Sequence, residues 1–590
     1  MSDYRAPVED MDFVLQHVVD VASLQDHDAF AHVDTSELVA ILDEAGRFFS
    51  EVVAPINRIG DTQGSQRNDD GTVTTPDGFV DAYAKLVDAG WGAIALDPEY
   101  GGGGFPWVVG LAVEEMLTAA NMGFSLCPLL THGAVHLLIS HADEEQRNTY
   151  IPKMVTGQWT GTMNLTEPQA GSDVGALTTK AVRRDDGSYG ITGQKIFITW
   201  GDHDVAENII HLVLARTADA PPGTRGISVF IVPKYLPNDD GTPGEPNSLE
   251  CVSLEHKLGI HASPTAVMAF DDATGFLIGE EQTGMRSMFT MMNSARLSVG
   301  LEGLALAERA YQQAIEYANE RLQGERPGLD KGEAAPIAEH PDVRRMLLTM
   351  KSYIEAMRCL CYLNAKALDD GHHAADADRA QSARELGELL TPLSKAWCTD
   401  LGNEMTSLGL QVHGGMGFIE ETGAAQHYRD IRIGAIYEGT NGIQAIDLIG
   451  RKLPMRDGAA VAELLDDAEA QAGALTGQLE PLAKPMVEAV AATREASAWL
   501  LTNHGDAALA GATPYLRLLA SVVGGWLMLK GAAAAQAELE AGASGQRAEF
   551  LEQKLVTATF FVEQLLPAQV GLMPSIMSGN DVLAAYHPAL

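Results

Sequence analysis

The chain reads as an α+β multidomain protein in which a helical segment, a β segment, a second helical segment and an Ala-rich helical bundle follow one another. Three observations carry this. Short β-branched runs replace helical periodicity near Thr160, the helical period returns near Met285, and the last 140 residues hold 31 alanines. With 590 residues, 46% of them hydrophobic, the chain exceeds one ordinary core and fits roughly three to five domains of ~100 to 200 residues each. The expected divisions are an N-terminal extension (1–36), an N-terminal helical domain (37–159), a middle β domain (160–284), a C-terminal helical domain (285–450) and an additional helical domain (451–590).

In the first helical domain, SELVAILDEAGRFFSEVVAPI from Ser36 and DGFVDAYAKLVDAGWGAI from Asp77 each begin with a good N-cap residue. In the β domain, IIHLVLART (209–217) and GISVFIVPK (226–234) are separated by DDG, PPG and DDGTPG turn signals. Beyond Met285, Leu304, Ala307, Tyr311, Ile315, Ala318 and Leu322 recur at steps of three and four along one helix face. QGERPGLDKGEAAPIAEHP (323–341) has the Pro, Gly and charge content of an exposed loop. After residue 450, Leu-rich runs broken by GATP, GASG and LMPS form the final bundle.

Forty Lys+Arg against eighty Asp+Glu leave a net charge of −40, a field that repels nucleic-acid backbones and anionic membrane surfaces, so neither is expected as a partner. Five cysteines without a CxxC pair suit a reducing compartment, and no metal site is expected. The N-terminus is acidic where a secretory signal is basic, no uncharged apolar run is expected to approach ~18 residues, and AAYHPAL is no peroxisomal tail, so the expected location is the cytoplasm.

Neither GxGxxG after a strand nor GxxxxGK[ST] occurs, which counts against nicotinamide and P-loop chemistry. The run GGGG (101–104) reads by composition as a tight turn. Four other segments carry more. MNLTEPQAGSD (163–173) packs Thr, Glu, Pro, Gly and Ser into a turn that exposes amides and hydroxyls, although a plain strand-to-loop connection has the same composition. GQKIFITWG (193–201) places Phe197 and Thr199 on one side of a strand, an arrangement that any half-buried strand shares. QVHGGMGF (411–418) lets backbone approach a ligand or caps a helix. In IYEGTNGIQAIDLIG (436–450), Glu438 lies before a Gly-Thr-Asn turn that can cap a helix beginning near Gly442; alone it would read as solvated surface.

Taken in order, MNLTEPQAGSD, KIFITWG, YANERLQG (317–324), QVHGGMGF and IYEGT resemble the signature segments of the acyl-CoA dehydrogenase family, over about residues 40–450. The resemblance implies a barrel-like middle domain, a four-helix-bundle C-terminal domain, and FAD between the two. It assigns Leu165, Thr166, Phe197 and Thr199 to the flavin ring and Ser172 to both flavin and substrate. Across a subunit interface, Arg321, Gln323, Gln411 and Gly415 complete the pyrophosphate and adenosine part, which implies a homodimer or a dimer of dimers. Arginine suits phosphate because its fork makes paired charge-assisted bonds. Thr440 and Asn441 match flavin-contacting positions, whereas Gly442 stands where many relatives have Gln. Arg296, in NSAR (293–296), and Gly439 fall in segments that meet the acyl-CoA.

Glu438 resembles the family's general base. Such a base must reach the α carbon of the thioester with a proton affinity raised by an apolar pocket, while its own backbone N–H and a ribityl hydroxyl steady the enolate oxygen. The implied product is a trans-2-enoyl-CoA, with electrons passing to electron-transfer flavoprotein. An acyl-CoA oxidase and a non-catalytic flavin-binding relative are the alternatives. Ordinary members end soon after the helix that follows this Glu. The long form, extended at both ends, is similar to the 3-methylmercaptopropionyl-CoA dehydrogenase group, whose relatives include dehydrogenases of ordinary fatty acyl-CoAs. The implied substrates are therefore 3-methylthiopropanoyl-CoA or a short to medium fatty acyl-CoA, and the C-terminal bundle is expected to buttress a dimer.

Overall fold

A computed structural model describes residues 4–326 and 332–588; residues 327–331, part of the expected loop 323–341, lie outside the described residues. Two compact units are present, one formed by Glu44–Phe105 and Met116–Ser298, the other by Met1–Asp43, Pro106–Glu115 and Val299–Leu590.

In the first unit, a small hairpin of β1 (Gln66–Arg67) and β2 (Val73–Thr74) interrupts a stretch that periodicity reads as helical throughout. Its NDDG turn is the reason: Gly71 takes φ 90° and Asp70 accepts from the Thr72 amide. Helix Phe79–Ala89 is capped by Gly78 at φ 85°, while the Asp77 amide donates to Gln63 Oε1. The expected cap at Asp77 is therefore displaced by one residue. The GGGG run is the tight turn that its composition suggests, since a Cβ at Gly102 would lie 2.1 Å from the Leu96 carbonyl oxygen.

Helix Met122–His141 corrects the expectation that no long uncharged apolar run exists: its 20 residues include no Asp, Glu, Lys or Arg. Most of it is buried inside the protein, so its hydropathy reflects core position. Ala512–Glu540 and Gln546–Met577 are also long and apolar enough to cross a membrane by length and composition.

The β domain comprises β3 (Trp159–Asn164), β4 (Lys180–Arg183), β5 (Tyr189–Thr199), β6 (Asn208–Ala215), β7 (Ser228–Pro233), β8 (Tyr235–Pro237), β9 (Pro243–Pro246), β10 (Leu249–Leu254) and β11 (Thr265–Leu277). Its main sheet runs β3-β6-β7-β11-β5-β4, with β10 also paired to β11, and only β3 and β6 are parallel. A bridge from Lys180 to Arg216 returns the start of β4 to the end of β6, so the sheet curls on itself around Ile191, Ile198, Val213, Phe230 and Met268.

In the second unit, helices Pro341–His373 and Ala377–His413 pack on each other, and Ala512–Glu540 lies against both and against Asn441–Asp447. Close helix crossing explains Gly303, where a Cβ would come within 2.1 Å of the Cys398 carbonyl oxygen. At the front of this unit Asp34, not Ser36, caps the turn Thr35–Glu37 by accepting from the Ser36 amide. Leu322, counted on the apolar stripe, lies beyond the end of helix Gly284–Glu320 and is exposed.

The N- and C-terminal extensions meet at a buried charge cluster. Arg358 donates to Glu115 (2.7 Å), Glu308 (3.1 Å) and Asp10, Tyr362 donates to Glu115 (2.7 Å), and Lys554 pairs with Asp10 and Glu355 (3.3 Å to Glu355). Burial opposes the Arg358 charge, but Glu115 and Glu308 hold the guanidinium protonated above its usual range. Removing one member of such a cluster strands its partners. Arg358→Leu is expected to lower unfolding stability by about 3–5 kcal/mol; a loss below about 1 kcal/mol in urea titration would show that the cluster is not holding these helices together.

Candidate active site

The first two signature segments are joined in the first unit by one buried ion pair. Lys195 Nζ, fully buried, donates to Glu167 Oε1 (2.8 Å), itself 2% exposed, and to the Leu165 carbonyl (3.0 Å). The remaining capacity of Glu167 is filled by Gln169 Nε2 (2.7 Å) and by the amides of Thr178 (2.7 Å) and Thr179 (3.0 Å). Burial works against the Glu167 charge, yet Lys195 and these donors bring its pKa down to about 2. Burial draws Lys195 down to about 8 against the pull of Glu167. The Ile196 amide also donates to the Thr166 carbonyl (2.9 Å), so the LTEP turn is stitched to β5 by backbone and charge together.

Strand alternation is broken where it matters most. Lys195 pairs with Met268 and Ile198 with Ala266, so two residues of β5 oppose one of β11, and Phe197 takes φ 60° in the resulting bulge. A phenylalanine in the left-handed region is uncommon, and the conformation leaves its ring 57% exposed above buried Ile198. Thr199 is half-buried, and Trp200, also at positive φ, anchors the strand end by donating Nε1–H to the Gly123 carbonyl (3.1 Å). Leu165 is buried, Thr166 half-buried and Ser172 exposed. Arg296 is buried beside the Phe289 ring (6.0 Å) and donates to Asn293 (3.2 Å).

The other three segments lie in the second unit. YANERLQG and QVHGGMGF are brought together by stacking of Tyr317 on His413, with ring centroids 4.7 Å apart. Helix Ala377–His413 ends at Gly414 (φ 60°), so QVHGG is a helix cap that also leaves Gln411 and Gly415 exposed. A Cβ at Gly414 or Gly415 would meet none of the described atoms within 4 Å. Arg321 and Gln323 are exposed, their backbones tied to Ile337 and Ala335.

Glu438 and Gly439 take φ 53° and 85° in succession, forming a left-handed turn immediately before helix Asn441–Asp447. Thr440 caps that helix by accepting from the Ile443 amide (3.3 Å). Asn441 is a hub: its Oδ1 accepts from Lys395 (2.9 Å), and its Nδ2 donates to Asp400 (2.7 Å) and the Ala396 carbonyl (3.2 Å). Gln444 donates back to the Gly439 carbonyl (3.3 Å). Glu438 is half-buried on this scaffold.

Glu167, Lys195, Lys395, Asp400, Tyr437 and Gln444 hold the site yet were not singled out from sequence. The one sequence signal was a lysine at an inward position of an alternating strand, Lys195 in QKIFIT.

Models of the acyl-CoA dehydrogenase N-terminal (35–158), middle (162–273) and C-terminal (282–453) domains match the chain, and an acetyl-CoA dehydrogenase C-terminal-like model matches 459–587. The chain is 47% identical to the 3-methylmercaptopropionyl-CoA dehydrogenase of Ruegeria pomeroyi over 95% of its own length and 96% of the relative. It is 36% identical to a butyryl-CoA dehydrogenase of Syntrophomonas wolfei, with 97% of each covered. A solved acyl-CoA dehydrogenase from Bacillus anthracis, complexed with FAD, has the same fold: TM-score 0.73, 20% identity, and 98% of this chain and 96% of that one covered.

Substituting Lys195 leaves Glu167 buried without its cation. Lys195→Met is expected to cost about 3–5 kcal/mol near neutral pH. The Glu167 carboxylate titrates below its usual 4.5 in the fold, so its contribution is present above that pH and fades as pH falls toward about 2. The variant's deficit in chemical unfolding should therefore shrink in acid, and a deficit independent of pH would contradict the pairing.

Proposed function

Because the chain belongs to the acyl-CoA dehydrogenase family, we propose that it oxidises the Cα–Cβ bond of an acyl-CoA thioester to a trans-2-enoyl-CoA with FAD as cofactor. The observation that carries this reading is the Glu438 turn, a half-buried carboxylate held in left-handed backbone at the head of a capped helix. Glu438 removes the α proton as general base. Its amide, oriented by the same turn, is the donor assigned to the developing enolate oxygen.

The residues fit a flavin. Phe197 offers an exposed ring on strained backbone, and the Gly414–Gly415 cap leaves room for close backbone approach. Leu165, Thr166, Ser172, Phe197 and Thr199 are assigned to the ring, and Arg321, Gln323, Gln411 and Gly415 to the pyrophosphate and adenosine. Asn441 spends its side chain on helix Ala377–His413, so its assigned flavin contact falls to the backbone, while Thr440 keeps its hydroxyl proton available as it caps helix Asn441–Asp447. When bound, FAD supplies the acceptor for the hydride leaving the β carbon. Arg296 and Gly439 are assigned to the acyl-CoA.

The relatives' names favour 3-methylthiopropanoyl-CoA, with butanoyl-CoA and other short to medium acyl-CoAs next. Electron-transfer flavoprotein is the proposed acceptor, and a homodimer or a dimer of dimers the proposed assembly. The apolar side chains of Met416, Phe418 and Ile419, Phe418 at 91% exposure, follow directly on Gly415 and suit a partner copy there. Five buried free cysteines are consistent with a cytoplasmic location.

Glu438→Gln is expected to keep its flavin absorbance while turnover on the best of these acyl-CoAs falls by roughly 10²- to 10⁴-fold. Wild-type turnover in that variant would refute the assignment.

A further inference from the structure

Beneath the Glu438 turn lies a carboxyl to which the reading above gives no role. Glu302, on helix Gly284–Glu320, is fully buried, and the hydroxyl of Tyr437, the residue immediately before Glu438, donates to both of its oxygens at 2.5 Å. We propose that Glu302 is a positioning residue that, through Tyr437, seats the Glu438 turn for proton abstraction. The inference rests on the reading of Glu438 as the base.

The surroundings favour a neutral carboxyl. Burial raises the Glu302 pKa most, the Tyr437 hydrogen bond opposes this, Glu114 raises it further, Lys395 lowers it, and Glu438 raises it again. The charged groups that act most on Glu302 lie on three elements: Glu114 on helix Trp107–Ala120, Lys395 on helix Ala377–His413, and Glu438 on the turn itself. Lys395 also donates to Asn441, and Asp400, held above its usual range chiefly by burial, accepts from the same Asn441. Four carboxyl groups and one lysine thus act within one small region. Ionising a fully buried carboxyl close to a base that must itself be a carboxylate would be costly, and a neutral Glu302 avoids it.

A neutral carboxyl here also does something a hydrocarbon cannot. The Tyr437 hydroxyl is buried enough that burial raises its pKa well above the ordinary phenol value, and Glu302 is its acceptor. Without that acceptor the phenol must find another partner, and the left-handed residue that follows it in the chain shifts with it. Misplacing a base by about 1 Å costs roughly a hundredfold in rate.

The test uses the holoenzyme, with three variants assayed on the acyl-CoA that turns over best. Glu302→Leu and Tyr437→Phe should each lower kcat by roughly 10- to 100-fold, with KM and flavin content close to wild type. Glu302→Gln, which can still accept from the phenol but cannot ionise, should recover most of the kcat lost in Glu302→Leu. It should also leave the pH dependence of kcat/KM close to that of the wild type. Wild-type kcat in both Glu302→Leu and Tyr437→Phe would overturn the proposal, as would a Gln variant as impaired as the Leu variant. Should Glu302→Leu fail to fold, Tyr437→Phe and Glu302→Gln decide alone. Glu438→Gln run beside them separates the two readings. An inactive Glu438→Gln with wild-type Glu302 and Tyr437 variants sinks only the positioning role, whereas an active Glu438→Gln sinks the base assignment itself.

Discussion

The buried pair of Lys195 with Glu167 is the constraint on which the placement of the residues assigned to the flavin ring depends. It joins residues 28 positions apart in sequence and leaves neither charge exposed. Because an unpaired ion is costly in such surroundings, the LTEP turn and β5 are held in one relation, with Leu165 and Thr166 also tied through their carbonyls. The bulge then follows. With Lys195 fixed inward and Ile198 in the core, the extra residue must be absorbed between them, which puts Phe197 at positive φ and turns its ring outward. A structural ion pair, a register shift and an exposed aromatic are one device.

The turn that carries Glu438, the proposed base, is built on different physics. Left-handed backbone at Glu438 and Gly439 costs energy that the neighbourhood must offset, and Asn441, Thr440 and Gln444 do so with hydrogen bonds to helix Ala377–His413, to the helix cap and to the turn itself. The Arg358 cluster ties the N-terminal extension, helices Trp107–Ala120, Gly284–Glu320 and Pro341–His373, and the C-terminal bundle together. The Ala-rich helix Ala512–Glu540 packs directly on Asn441–Asp447, so within this chain it braces the helix that follows the Glu438 turn.

Much of this was legible from residues. The alternation of helical and β segments, the turn at GGGG, the capping character of QVHGG and the helix start after Glu438 all follow from local chemistry that tertiary context did not override. Caps were less legible. Ser36 and Asp77 are good N-cap types, but Asp34 and Gly78 occupy those places because the chain enters each helix one or two residues from where composition points. Leu322 keeps the helical spacing and is exposed because the helix has already ended. The apolar run of Met122–His141 reflects burial on nearly all sides, which a count of charges along a sequence cannot distinguish from a membrane span. Least legible were the buried ionisable residues, Glu302, Lys395, Glu167 and Arg358. A charged letter reads as surface until its partner is known, and each partner lies far away in sequence.

The most direct measurement is an anaerobic visible spectrum of the purified flavoprotein during addition of 3-methylthiopropanoyl-CoA, butanoyl-CoA and octanoyl-CoA in turn. Rapid bleaching of the oxidised flavin band by one of them is the expected result and ranks the substrates. A bound flavin that none of the three bleaches would contradict the proposed dehydrogenation of these acyl-CoAs.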